Sequence, residues 1–228
     1  MARRSRIRLA ELRAIVHSTL RALADSTRLE DVHRVEDIVS RDRFTVLAAA
    51  ATTDEALAAL LRERPELDAA SVDFDALRQL PQATLGRAYV DHLERNNLEL
   101  YTTQTSDEFI DDPDVRYLIH RYRQAHDVWH VLLGLGVRGH EEVLVHAFTY
   151  GHLRIPISAM IITLGGIKHL VLERRWQALR RGLWENYTVG RDAAPLLSIH
   201  WEQQWTRPLA ELRAQLRVRP CAPEFYAD

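Results

Sequence analysis

Residues 113–153 read PDVRYLIHRYRQAHDVWHVLLGLGVRGHEEVLVHAFTYGHL, and the fold is decided there. Leu118, Tyr122, Ala125, Trp129 and Leu132 recur at spacings of three and four, the period of a helix with one buried face. Pro113 suits the opening turn, where its missing N–H has no helical partner to lose. The period predicts a helix over 115–135. Gly134, Gly136 and Gly139 then break it, and a second helix is predicted over 141–153.

The flanks repeat this pattern. Leu85, Ala88, Tyr89, His92 and Leu93 predict a helix over 85–100, and the polar run 102–114 a loop. Downstream, helices are predicted over 157–181 and 209–217, with Pro195 opening another between them. Upstream, the alanine-rich run 44–61 reads as helix, with Thr53 as a cap and acidic residues in its first turn; Pro65 ends it. Only 9 glycines and 8 prolines punctuate 228 residues, which favours long helices over turn-rich β structure. The expectation is an all-α, mainly helical domain over 76–228, preceded by a helical extension over 1–75.

Near the start, Leu9, Leu12, Ile15, Val16, Leu20 and Leu23 form one stripe, with arginines read on the opposite face. Such a helix can lie on an anionic membrane surface or pack its stripe on the rest of the protein, and its pattern does not separate the two. The arginine-rich start lacks the apolar stretch and cleavage site of a secretory signal. The longest weakly polar run, 155–167, spans about 20 Å as a helix, short of a hydrocarbon core of about 30 Å. A net charge of -2 argues against a nucleic-acid partner. The lone cysteine, Cys221, excludes an internal disulfide and a cysteine-built zinc site, and fits a reducing compartment.

Chemistry concentrates where the helices turn. His126 and His130, four apart, project from one helical face and can share a cation. Asp127 between them can be a ligand, a general base or an orienting partner. Glu142 is the proposed third ligand. In one straight helix it would lie about 18 Å from His130, so the glycine break must fold the chain back. A plain hydrogen-bonded histidine pair, with Glu142 serving only the helix dipole, is the competing account. Histidine and carboxylate donors without cysteine suit a divalent cation: zinc, iron or manganese. His140 and His146, which flank Glu142, could extend the site, and so could His152, but all three are read as surface or packing residues and left outside the first shell.

HDVWH followed by eleven residues and Glu142 resembles the metal motif of the Coq-four family of ubiquinone biosynthesis proteins. LPQATLGRAYVDHLERNNL upstream and SIHWEQQWTRPLAELRAQL downstream resemble the same family, so the likeness runs over about 78–218. One departure is LLGLGVRG, where the family commonly carries a proline. The resemblance implies a helical, often dimeric protein with an apolar cavity for a prenylated ring. It also implies peripheral attachment to the membrane where the pathway works. The arginine bias and single cysteine point to a cytoplasmic protein, on the inner membrane in that case, with a processed organelle protein as the alternative. The implied chemistry is metal-dependent oxidative decarboxylation: the C1 carboxyl of a polyprenyl 4-hydroxybenzoate is replaced by hydroxyl. Oxygen insertion asks for a redox metal or an aryl anion meeting dioxygen.

Carried onto this chain, His126, Asp127, His130 and Glu142 are the metal-site residues, with Asp127 also the catalytic group. Arg121 or Arg123 could clamp the substrate carboxylate. RIPISAMIITLGGI, with Lys168 behind it, could wall a polyprenyl tail or be an ordinary core helix. The family is also described as an organiser of other ubiquinone biosynthesis proteins. A non-catalytic, lipid-binding scaffold with a bracing metal is therefore the alternative to an enzyme.

Overall fold

The computed structural model describes residues 7–25, 28–99, 105, 108–173 and 176–225, except the side chains of 168–173 and 176–178. Among the described residues there are ten α-helices and no strand. They are α1 (Leu9–Ala24), α2 (Leu29–Ala49), α3 (Glu55–Glu63), α4 (Phe74–Arg78), α5 (Leu85–Asn96), α6 (Pro113–Leu133), α7 (Gly139–Leu153), α8 (Pro156–Glu173), α9 (Trp176–Asp192) and α10 (Leu209–Leu216). The all-α expectation is met. No single described helix is long and apolar enough to cross a membrane.

The central element is α6. Asp112 caps it, accepting from the backbone N–H groups of Asp114 and Val115, and Pro113 follows at the first helical position. Leu118, Val128, Trp129 and Leu132 on it are fully buried. Apolar side chains from both sides of residue 75 share one core: Val35, Phe44, Leu57 and Leu60 with Leu118, Trp129 and Phe148. Charge also holds α2 on α6. Arg123 donates to Glu36 at 2.6 Å and to Asp37 at 2.7 Å, all three buried. Removing one partner of such a group leaves a buried charge uncompensated.

Several boundaries differ from the pattern in the sequence. The helix expected over 44–61 is two: α2 ends at Ala49, and α3 starts after Asp54, whose carboxylate accepts from Leu57 N–H. Thr53 is not the cap, because its hydroxyl turns back to Ala50 O. The helix expected to reach Leu100 stops at Asn96, where Asn97 takes a left-handed φ of 51°. The helix expected over 157–181 is α8 and the start of α9, parted at positions outside the described residues. One straight helix through α9 would reach about 54 Å; folding back lets α9 pack on α7. Pro195 opens no helix. The N–H of Leu196 is bound to His152 Nε2 at 3.1 Å, and Trp201–Gln203 form only a short 3-10 turn.

α7 lies between α8 and α9, and its contact with α9 is unusually close. A Cβ on Gly190 would stand 2.0 Å from Phe148 O, and one on Gly151 would stand 2.1 Å from Tyr187 O. Backbone meets backbone there, so only a missing side chain permits the packing. Gly190→Ala should lower stability by about 1–3 kcal/mol, the usual cost of overpacking. Urea denaturation measures this, and an unchanged midpoint would contradict the packing described.

Candidate metal centre

The site is assembled where α6 ends and α7 begins. Gly134 closes α6 with a φ of 69°, and Leu135 N–H returns to His130 O at 3.0 Å. Glu141 then holds the turn: its carboxylate accepts from Gly136 N–H at 2.9 Å and from Arg138 N–H at 3.0 Å. This fold-back carries Glu142 to the two histidines. Ligand atoms of His126, His130 and Glu142 all lie within 4.8 Å of one another, and Glu142 Oε1 is 3.5 Å from His130 Nε2.

The same turn fixes a tautomer. His130 Nδ1 is 2.9 Å from Gly136 O. A carbonyl can only accept, so Nδ1 carries the hydrogen and Nε2 of the neutral ring keeps its lone pair for a cation. Nε2 of His126 is buried without a hydrogen-bond partner, and the buried Nε2 of His130 has the Glu142 carboxylate at 3.5 Å, as expected of atoms prepared for a ligand. Two imidazoles and a carboxylate fit a divalent metal and leave open coordination positions.

Electrostatics agree with the geometry. Burial, helped by the His130 charge, holds the His126 pKa well below its usual range, so His126 is neutral and competent to coordinate. Burial opposes charge on His130 and Glu142 too, but their mutual attraction outweighs it. It raises the His130 pKa and lowers that of Glu142. Asp127 borders the same cavity, yet its carboxylate lies outside the cluster of three. Burial pushes its pKa up to about 6.

The cavity beside these residues has a volume of about 470 Å³. Leu29, Val32, Leu98, Val137, Ile157 and Ile161 give it apolar walls. The stretch expected to wall a prenyl tail thus contributes Ile157 and Ile161, while Lys168 is among the side chains outside the described set.

The two arginines fare differently from expectation. Arg121 is fully buried away from the cavity, clasping Glu202 with both terminal nitrogens and donating to Ile199 O at 3.0 Å. Arg123 touches the cavity, but its guanidinium is spread over Glu36, Asp37 and the His33 carbonyl. Both are engaged in holding helices together.

Two histidines were underread in the sequence. His146 lies on the cavity wall with Nδ1 3.1 Å from the Ser158 hydroxyl, its ring 5.5 Å from that of His126. Its position four after Glu142, on one helical face, was the available signal. The His92 ring stands 5.4 Å from that of His130, across from α5, and no spacing announces it. His152 is structural: it spans Gly190 O and Leu196 N.

The sequence matches, over residues 5–222, the family model described as coenzyme Q (ubiquinone) biosynthesis protein Coq4. The match extends upstream to residue 5, beyond the span 78–218 that carries the family-like motifs. The "Ubiquinone biosynthesis protein COQ4 homolog, mitochondrial" of Bos taurus is 31% identical over 86% of this chain and 74% of its own. The corresponding Coprinopsis cinerea protein is 28% identical over 70% of this chain, which spans about half of that relative (54%). A crystal structure of a putative ubiquinone biosynthesis protein from Nostoc punctiforme superposes with a TM-score of 0.72. It is 26% identical, covering 92% of this chain and 97% of that one.

Two outcomes follow from the geometry. A Cβ on Gly136 would stand 2.8 Å from Glu141 Oε2, crowding the carboxylate that clamps the turn whose carbonyl orients His130. Gly136→Ala should weaken zinc or manganese binding about 10–100-fold by calorimetry. Asp127 has a folded pKa raised from the usual 3.8, so its contribution to stability is full below 3.8 and lost as pH rises through about 6. Asp127→Asn should therefore stabilise chelator-treated protein at pH 7, by at most about 3 kcal/mol, and not below the usual aspartate pKa. An equal gain at both pH values would contradict the burial account.

Proposed function

The chain belongs to the coenzyme Q (ubiquinone) biosynthesis protein Coq4 family, and on that premise we propose that it acts in ubiquinone biosynthesis as a metal-dependent oxidative decarboxylase. Its substrate in this reading is a polyprenyl 4-hydroxybenzoate intermediate, whose C1 carboxyl leaves as carbon dioxide and is replaced by hydroxyl. Dioxygen is the oxidant, one of its atoms becoming the new hydroxyl and the other leaving as water with two electrons and two protons from an external reductant. The supporting observation is the convergence of His126, His130 and Glu142, two of which, His126 and Glu142, line a cavity with aliphatic walls. Polar donors and aliphatic side chains in one cavity suit a ring that carries a charged head and a prenyl tail.

A divalent cation, zinc or alternatively iron or manganese, bound there would supply Lewis acidity toward the substrate's carboxylate and phenol. The chain's residues do the rest. His126 presents a neutral nitrogen, and His130, oriented through Gly136 O, would present Nε2 once a cation displaced its proton. Glu142 brings the negative charge that balances a cation. Asp127, with its pKa near neutrality, accepts and returns a proton beside the ring. The apolar walls exclude water from the reacting carbon, which strengthens each of these interactions. With Arg121 committed to Glu202 and Arg123 to Glu36 and Asp37, a cation held by His126, His130 and Glu142 would take the place of an arginine clamp on the substrate carboxylate.

The remaining assignments extend the same reading. The partners are the prenylated hydroxybenzoate, other ubiquinone biosynthesis proteins and a second copy of the chain. The place of action is the cytoplasmic face of the membrane that holds the prenyl lipid, with the protein attached peripherally.

Release of labelled carbon dioxide from carboxyl-labelled polyprenyl 4-hydroxybenzoate tests the reaction. Metal-loaded wild type in detergent should release label, and Glu142→Ala should fall by at least about 100-fold, as expected when a group stabilising developing charge is lost. No release from wild type, alone or with pathway proteins added, would leave the lipid-binding scaffold as the reading.

A further inference from the structure

Helix α1 is amphipathic the wrong way round for a helix packed on a protein. Its polar side faces inward. Glu11 and Ser18 are buried, and Glu11 accepts from Arg41 of α2 at 2.6 Å. Arg21 reaches Asp31, itself buried, at 3.2 Å. The stripe on the other side, Leu9, Leu12, Val16, Leu20 and Leu23, is 50–66% exposed. Single exposed leucines are common; a contiguous aliphatic row along a whole helix marks a surface that something covers.

Charge indicates what covers it. Residues 1–24 hold six arginines and one acidic residue, a net of +5, and Glu11 is already paired with Arg41. The whole chain is -2, so the remaining residues total -2 - 5 = -7. A second copy meeting this face would set the same positive charge against itself. An anionic lipid surface instead complements both the leucine row and the arginines, of which Arg13 is exposed beside the row.

Position gives a reason for it. The row ends at Leu23, and the next helix opens with Leu29, which is 60% exposed and, together with Val32, lines the metal-site cavity, so the cavity reaches the surface at Leu29. We infer that α1 lies in the headgroup layer of an anionic membrane with Leu9, Leu12, Val16, Leu20 and Leu23 inserted, setting the cavity mouth at the bilayer surface. This rests on the membrane placement proposed above and not on the reaction. A prenyl lipid would then enter at Leu29 without crossing water.

Flotation of the full, metal-loaded chain with vesicles tests this, with pure phosphatidylcholine compared with an equimolar mixture with phosphatidylglycerol. Wild type should partition onto the anionic vesicles, more weakly at high salt, and little onto neutral ones. Leu12→Glu/Leu20→Glu should lose at least about tenfold in partition with helicity, metal content and sedimentation unchanged, since both side chains are exposed. Wild type that binds neither vesicle overturns the membrane placement as well. A variant that floats like wild type overturns only the role of α1. A wild-type dimer made monomeric by the variant assigns the face to a second copy and overturns the inference.

Discussion

The hydrogen bond from His130 Nδ1 to the carbonyl of Gly136 is the constraint on which the site depends. It ties a side chain in the last turn of α6 to the backbone of the turn that follows. It is possible only because Gly134 closes the helix in a left-handed conformation and Glu141 clamps the next residues through two backbone N–H groups. One local structure thus reverses the chain, sets the histidine tautomer and delivers Glu142. Separating these roles by mutation is difficult because the same atoms perform them.

Around that turn the protein invests its buried charge in positioning α6. Arg123 meets Glu36 and Asp37 of α2 on one side, and Arg121 meets Glu202 on another. Arg213 donates to the carbonyls of Val131 and Leu132 at the end of α6. Buried ion pairs of this kind contribute little net stability compared with apolar packing, but they penalise every alternative arrangement of the helix. A centre whose donors must stay within 4.8 Å needs such restraint.

The cavity combines metal-site donors with aliphatic walls, and the exposed Leu29 in its lining follows the leucine row of α1 in the chain. The outward row and the inward Glu11–Arg41 pair are two sides of one choice: a helix with its carboxylate paired inside cannot also bury its leucines there.

The sequence by itself determined the helices, the glycine break and the ligand spacing, because each is a local matter. Periodicity places His126 beside His130, glycine chemistry ends α6, and a straight-helix distance shows that Glu142 needs a reversal. Tertiary structure alone decided what each face meets. Arg121 and Arg123 looked available for a substrate until Glu202, Glu36 and Asp37, distant in the chain, were brought against them. His92 comes from α5 and His146 from α7, so no spacing within α6 could announce them. The stripe of α1 was legible but its direction was not. A helical period reports which residues share a face, whereas the partner of that face is set by long-range packing that the period does not encode.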